Sequence, residues 1–413
     1  MRRTPYLFVA LATAGLLTAC GGGGNSGETK DRIGAVKVVG ASLADSGTFG
    51  FKFTVQSASG TPYQVYTERI AATYGLGLCK HFTFTGATFA EDAACNNYAI
   101  AGAAVNYGTL SANTNSFTAA SPVDPRSQIN QLILLGAGGF ASGDLLIVGE
   151  GSSNDAATLA TAYLTDVQTS GATTLYPQVI TSLLQDGGAT AGLGIGAPDG
   201  GATAGVVYMT QLARTLVARV KTEALDKGAT RVAILNTLDV TRTPRFQTVL
   251  AGIAAGPGGQ AAADDVQALV RAWISAYNSA LSAAVAPYAG KVVIVDAFQG
   301  FNDELDNLAQ YGLTNKTSTV CFETFAAAGG TKTGASPQPV LPGTIGLGDD
   351  DVSTPVPQIC NDATASSITP TENATGTNWW TTYLFADNFH PTPYGHQLLA
   401  QLVAKRLSEA GWL

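Results

Sequence analysis

The stretch "KVVGASLADSG", residues 37 to 47, runs a short β-branched segment into Gly40, places a serine at 42 and turns toward what reads as the start of a helix. A buried strand ending in a glycine turn is what the first strand-to-helix junction of a parallel α/β sheet requires, and such sheets carry functional groups at these carboxyl ends. Ser42 and Asp45 also stand three apart, the spacing of a capping box. Ser42 therefore reads as a helix cap, a nucleophile, or both, since Asp45 can hold backbone donors while the serine hydroxyl turns away.

Outward from this junction, three further apolar runs read as buried strands: "DLLIVG" from 144, "RVAILN" from 231 and "KVVIVDAF" from 291. Helical stripes lie among them. Val266, Leu269, Val270, Trp273, Ile274, Tyr277 and Leu281 repeat at helical spacing up to Pro287; Leu212, Leu216 and Val220 form a second stripe, and Leu398, Leu399, Leu402, Val403 and Leu407 a third. The alternation predicts an α/β three-layer sandwich with a mainly parallel central sheet flanked by helices. One domain over 35–413 is expected, with Gly-, Pro-, Ser- and Thr-rich loop insertions at about 187–205 and 327–376.

The apolar fraction of 46% supplies a large core, and a net charge of −8 with 22 Lys plus Arg leaves no basic footprint for nucleic acid. Met1-Arg2-Arg3 followed by an apolar run to "LTAC" reads as an export signal over residues 1–20, too short to span a bilayer. Its ending resembles a bacterial lipoprotein signal, which implies lipidation at Cys20 and membrane attachment through that anchor; Gly21-Gly22, with no aspartate, points to the outer membrane. A plain cleaved signal and a secreted protein is the alternative. Residues 21–34 read as a flexible tether. Four cysteines remain, and close neighbours favour Cys79 with Cys95 and Cys321 with Cys360, although three pairings are open. No metal or organic cofactor is expected. The acidic "GLGDDDV" from 346 reads as a solvated loop rather than a calcium site.

Candidate chemistry comes from three more segments. "NNYAIAGAAVNYG" from 96 carries Gly102, which serves a turn or lets a backbone N–H approach a ligand. "GEGSSNDAATL" from 149 places Asn154 and Asp155 ahead of a helix, where Asn154 also fits an N-cap. "LFADNFHPTPYGHQLLAQ" from 384 sets Asp387 three residues before His390, and Thr392-Pro393 starts a helix just after that imidazole. An aspartate accepting from Nδ1–H leaves Nε2 free to take a serine proton. Of the other two histidines, His81 sits beside Cys79 and His396 lies within the last helix, so His390 is the candidate base. Trp379, Trp380 and Phe385 are candidates for an apolar wall beside the motif.

Four segments in order, "GASLADSG", "NYAIAGA", "SSND" and "DNFHPT", resemble the blocks of the SGNH or GDSL hydrolase family, and "YGLTNKTSTVCF" from 311 resembles a segment of bacterial GDSL esterases. The resemblance implies Ser42 as nucleophile, His390 as base and Asp387 as its orienting acid. It implies an oxyanion hole from the backbone N–H groups of Ser42 and Gly102 and the side chain of Asn154. The expected activity is hydrolysis of an acyl ester through an acyl-enzyme, by a monomer. A polysaccharide O-deacetylase with the same triad and a non-catalytic surface-binding lipoprotein are the competing readings. Two departures stand out: Ala41 occupies the place of the family's aspartate, and the third block, Gly151-Ser152-Ser153-Asn154, is one residue longer than Gly-x-Asn-Asp. No window reads Gly-x-Ser-x-Gly, the elbow of the α/β-hydrolases.

Overall fold

The computed structural model describes residues 32–413 apart from 112, 122, 185–193, 198, 328–359 and 371–375. The expected signal, Cys20, nearly all of the tether and the acidic loop from 346 lie outside the described residues, as do large parts of both expected loop insertions. Two compact units divide after Arg32, and the second, Ile33–Leu413, holds all of the described strands and helices.

Four strands form the central sheet: β1 (Ala35–Val39), β6 (Asp144–Val148), β7 (Val232–Leu235) and β8 (Val292–Val295). Their order is β1-β6-β7-β8 and every pairing is parallel. Two antiparallel hairpins stand apart, β2 (Phe82–Phe84) with β3 (Phe89–Glu91) and β4 (Gly108–Ser111) with β5 (Ser116–Ala119).

Side chains alternate across a strand, and here both faces are apolar because both are covered. Val39, Leu146, Val148, Val232, Ile234 and Val292 point into one core. That layer is built from α2 (Gln128–Gly136), α3 (Gly151–Gln168), α4 (Leu175–Leu183), α5 (Ala202–Glu223), α6 (Pro244–Ala254) and α7 (Gly259–Val285). The intervening residues, Val36, Val38, Leu145, Ile147, Ala233, Leu235, Val293 and Val295, point into the opposite core. There they meet α1 (Tyr66–Thr73), the start of α8 (Ala297–Asp306) and the last helix. The result is the three-layer sandwich expected from the strand pattern.

Two short helices, α9 (Val320–Ala327) and α10 (Asp362–Ser367), precede α11 (Pro393–Glu409). The described residues contain two disulfides, Cys79–Cys95 and Cys321–Cys360. Such bonds suggest an oxidising compartment, extracellular or periplasmic. Among the described residues, no helix is long and apolar enough to cross a membrane.

One local expectation fails. No helix starts at Ser42; residues 42–44 form a turn, and the next helix begins only at Tyr66. Gly47 and Gly50 adopt φ of +106° and +88°, and Asp45 Oδ1 takes the N–H groups of Gly47 and Thr48, each at 2.8 Å. That side-chain capture closes a local turn in place of a helical one, so Ser42 receives no helix-terminus field.

Candidate active site

The serine turn is held on every side. Gly40 N–H donates to Gln131 Oε1 at 2.8 Å, and a Cβ there would crowd Ala44 Cβ at 3.2 Å and Gly149 Cα at 3.3 Å. Asp45, fully buried, reaches beyond its own turn: Oδ2 accepts Ala101 N–H at 2.9 Å. Burial raises its carboxyl above the ordinary value, against these backbone hydrogen bonds.

The Gly102 segment arrives along the outer edge of β1. Val38 donates to Asn96 O at 2.9 Å, Tyr98 N–H returns to Val38 O at 2.8 Å, and Ile100 N–H meets Gly40 O at 3.2 Å. The pairing ends in a turn where Gly102 has φ of +79°, a conformation that a side chain would strain. Asp155 fixes the chain just beyond this turn, accepting Val105 N–H at 2.8 Å and Asn106 N–H at 2.9 Å.

Asn154 does not precede the helix as expected. α3 starts at Gly151, directly after β6, with Glu150 at its N-cap. Asn154 therefore lies inside the first turn and caps nothing; its Nδ2 donates to Ala103 O at 2.7 Å, tying the helix to the Gly102 turn. Among the described residues, no acceptor meets the backbone N–H of Ser42 or of Gly102.

At the far end of the chain, Thr392 accepts Gly395 N–H and Pro393 opens α11, so His390 stays on the preceding loop. Its Nδ1 lies 2.8 Å from both Asp387 oxygens, and Asp387 Oδ1 also accepts the N–H groups of Phe389 at 2.9 Å and His390 at 2.8 Å. A carboxylate can only accept, so Nδ1 carries the proton and Nε2 presents its lone pair. Burial opposes charge on Asp387, yet the adjacent His390 and the hydrogen bonds hold its carboxyl below the usual range. Phe53 packs against the imidazole with ring centroids 4.8 Å apart.

The other histidines are structural. His81 stacks on Tyr98 at 3.8 Å, and its Nδ1 meets Cys95 O at 3.3 Å. His396 is fully buried, which lowers its pKa to about 3, so it stays neutral in the core. Trp379, Trp380 and Phe385, the residues expected to line an apolar wall, pack within the C-terminal loops. All three are buried, and the indoles bond Ala365 O and Ser366 Oγ.

Glu150 is the residue that the motif reading missed. Its Oε1 accepts the N–H of Leu43, the residue after Ser42, at 2.9 Å; burial raises its carboxyl above the ordinary value, against the backbone hydrogen bonds and a charged His390, which lower it. The signal was an acidic residue in the strand-to-helix turn after β6. Among the described residues, no group of three or more His, Cys, Asp or Glu side chains could hold a metal ion.

A parallel four-stranded sheet covered on both faces by helices, with a serine turn at the carboxyl end of its first strand, has the architecture of an SGNH-type α/β hydrolase. The chain belongs to the GDSL-like lipase/acylhydrolase family, whose model matches residues 37–403. No curated protein matches it.

The buried carboxylates set a pH dependence of stability. Burial lifts Asp155 to about 7 and Glu304 to about 8, and raises Asp45 and Glu150 as well. The folded chain thus keeps protons that the unfolded chain releases near 3.8 for Asp or 4.5 for Glu. The stabilisation is complete below those values and is lost as pH rises through about 7 and 8. Asp387, with its lowered pKa, acts in the opposite sense and loses its contribution only in acid. Thermal melts at constant ionic strength should show Tm falling from about pH 5 to about pH 9, with a flatter curve in Asp155→Asn. A steady rise over that range would contradict this assignment.

Proposed function

We propose that the protein hydrolyses carboxylic esters through an acyl-enzyme, with Ser42 as nucleophile, His390 as base and Asp387 as the group that orients and stabilises the imidazolium. Serine Oγ gives its proton to Nε2 as it attacks the ester carbonyl, and the imidazolium returns it to the leaving alcohol. Water, activated by the same base, then releases the acid. The unclaimed N–H groups of Ser42 and Gly102, with the second amide hydrogen of Asn154, are the candidate donors for the oxyanion. The observation that carries this reading is the bifurcated contact of Asp387 with His390 Nδ1, both at 2.8 Å, which fixes the tautomer.

A fluorophosphonate probe tests the nucleophile: covalent labelling is expected at Ser42 and absent in Ser42→Ala. An unlabelled, folded parent would favour the surface-binding reading. Acetylated xylan compared with p-nitrophenyl esters separates a deacetylase from an esterase. The same reading includes export and lipid attachment at Cys20, tested by fatty-acid labelling of the parent and Cys20→Ser.

Two further aromatic side chains stand by the base: Phe53, against His390, and half-buried Phe51, 5.2 Å from Phe53 between ring centroids. Phe51→Ala should lower kcat/KM for long-chain p-nitrophenyl esters by roughly tenfold and leave the acetate unaffected, in line with the transfer energy of one aromatic ring. An unchanged chain-length profile would remove Phe51 from the acyl site.

A further inference from the structure

Glu150 is buried to 3% exposure directly behind the serine turn, with one oxygen used and one not. Oε1 takes Leu43 N–H at 2.9 Å, while Oε2 is buried with no hydrogen-bond partner among the described residues. A buried carboxylate kept for packing alone should have both oxygens satisfied, because an unmet acceptor in the interior costs stability. The hydroxyl of Tyr66 on α1 is likewise buried and has no hydrogen-bond partner among the described residues; burial, and then a charged Glu150, raise its pKa. Among the described residues, the titratable groups that act on Glu150 are Tyr66 from α1 and His390 from the loop before α11.

This arrangement does two things. Capturing the Leu43 N–H fixes the turn and leaves the N–H of Ser42 itself as the unbonded donor. Burial raises the Glu150 carboxyl above its ordinary value, while the backbone hydrogen bonds and a charged His390 lower it; a carboxylate at 150 and the imidazolium that His390 becomes on accepting the serine proton therefore favour each other's charge, in an interior where such an interaction is weakly screened.

Resting on the hydrolase reading above, we propose that Glu150 is a positioning residue of this centre, fixing the Ser42 turn through Leu43 and stabilising the His390 imidazolium. Glu150→Gln tests it, because the amide keeps the shape and an acceptor for Leu43 but has no charge. On p-nitrophenyl butyrate, kcat is expected to fall about tenfold with KM nearly unchanged, and the acid limb of the kcat/KM profile to move to lower pH. Glu150→Asp keeps the charge but is one methylene short of Leu43, so its acid limb should stay near the parent's while kcat remains low.

A Glu150→Gln variant with parental kcat and acid limb, in a parent that labels at Ser42, overturns the role of Glu150 and leaves the hydrolase reading standing. A parent that neither labels at Ser42 nor turns over overturns both. Should Glu150→Gln fail to fold, an acid limb displaced in Glu150→Asp as well would overturn the charge role.

Discussion

Replacing Asp387 with asparagine is expected to lower kcat for ester hydrolysis by three to four orders of magnitude, roughly the loss recorded when a triad aspartate becomes an amide. The cause is the tautomer. Asp387 now accepts from Nδ1 with either oxygen, whereas an amide nitrogen turned toward the ring would donate to Nδ1 and put the imidazole proton on Nε2, the atom that must receive the serine proton. The amide oxygen can still hold the N–H groups of Phe389 and His390, so the loop should keep its shape. Ser42→Ala and His390→Ala should each lose on the order of a thousandfold or more, and combining them should add little, because the members act as a unit. Steady-state kinetics with unfolding curves for each variant decide the matter. An Asp387→Asn protein within tenfold of the parent would sink the triad assignment.

The largest stability effect is expected at Trp273. This indole is fully buried between Tyr163, at 5.5 Å, and Tyr176, stacked at 5.7 Å, and its Nε1–H donates to Ala202 O at 3.0 Å. It lies against α5 where Gly205 leaves room: a Cβ on that glycine would come within 2.3 Å of the ring. Trp273→Ala should therefore cost about 3–5 kcal/mol, combining lost transfer energy with the cavity left behind. Gly205→Ala, which overfills the same contact, should cost about 1–3 kcal/mol. Both are read from the urea midpoint, and a Trp273→Ala midpoint close to the parent's would show that the α5 and α7 layer collapses around the gap.

The sandwich was legible in the sequence because the four core strands are short apolar runs buried on both faces, set between helical stripes. The helix of Trp273 announced itself by its stripe. The serine turn misled for a physical reason: Ser-x-x-Asp spacing fits a cap, but the carboxylate of Asp45 finds Gly47, Thr48 and the distant Ala101 before any helix can form. Asn154 misled for a related reason, since its partner is a carbonyl 51 positions away and no local pattern encodes that choice. Trp379 and Trp380 were near the base in sequence but belong to another packing cluster. Glu150 escaped notice because its meaning lies in a contact with residue 43, across 107 positions.

The segment after the first strand is stitched to the segment before the last helix. Thr54 donates to Pro391 O across 337 positions, Arg69 reaches Pro393 O, and His396 meets Phe53 O. Contacts of such span form late, because the chain must close its longest loop to make them. A polypeptide emerging from the ribosome or a translocon would carry the proposed nucleophile from the outset and acquire its base only when the final helix docks. Ester-cleaving ability would then arrive with completion of the chain, and a nascent or C-terminally truncated protein would remain chemically silent toward the lipids and esters it passes on its way.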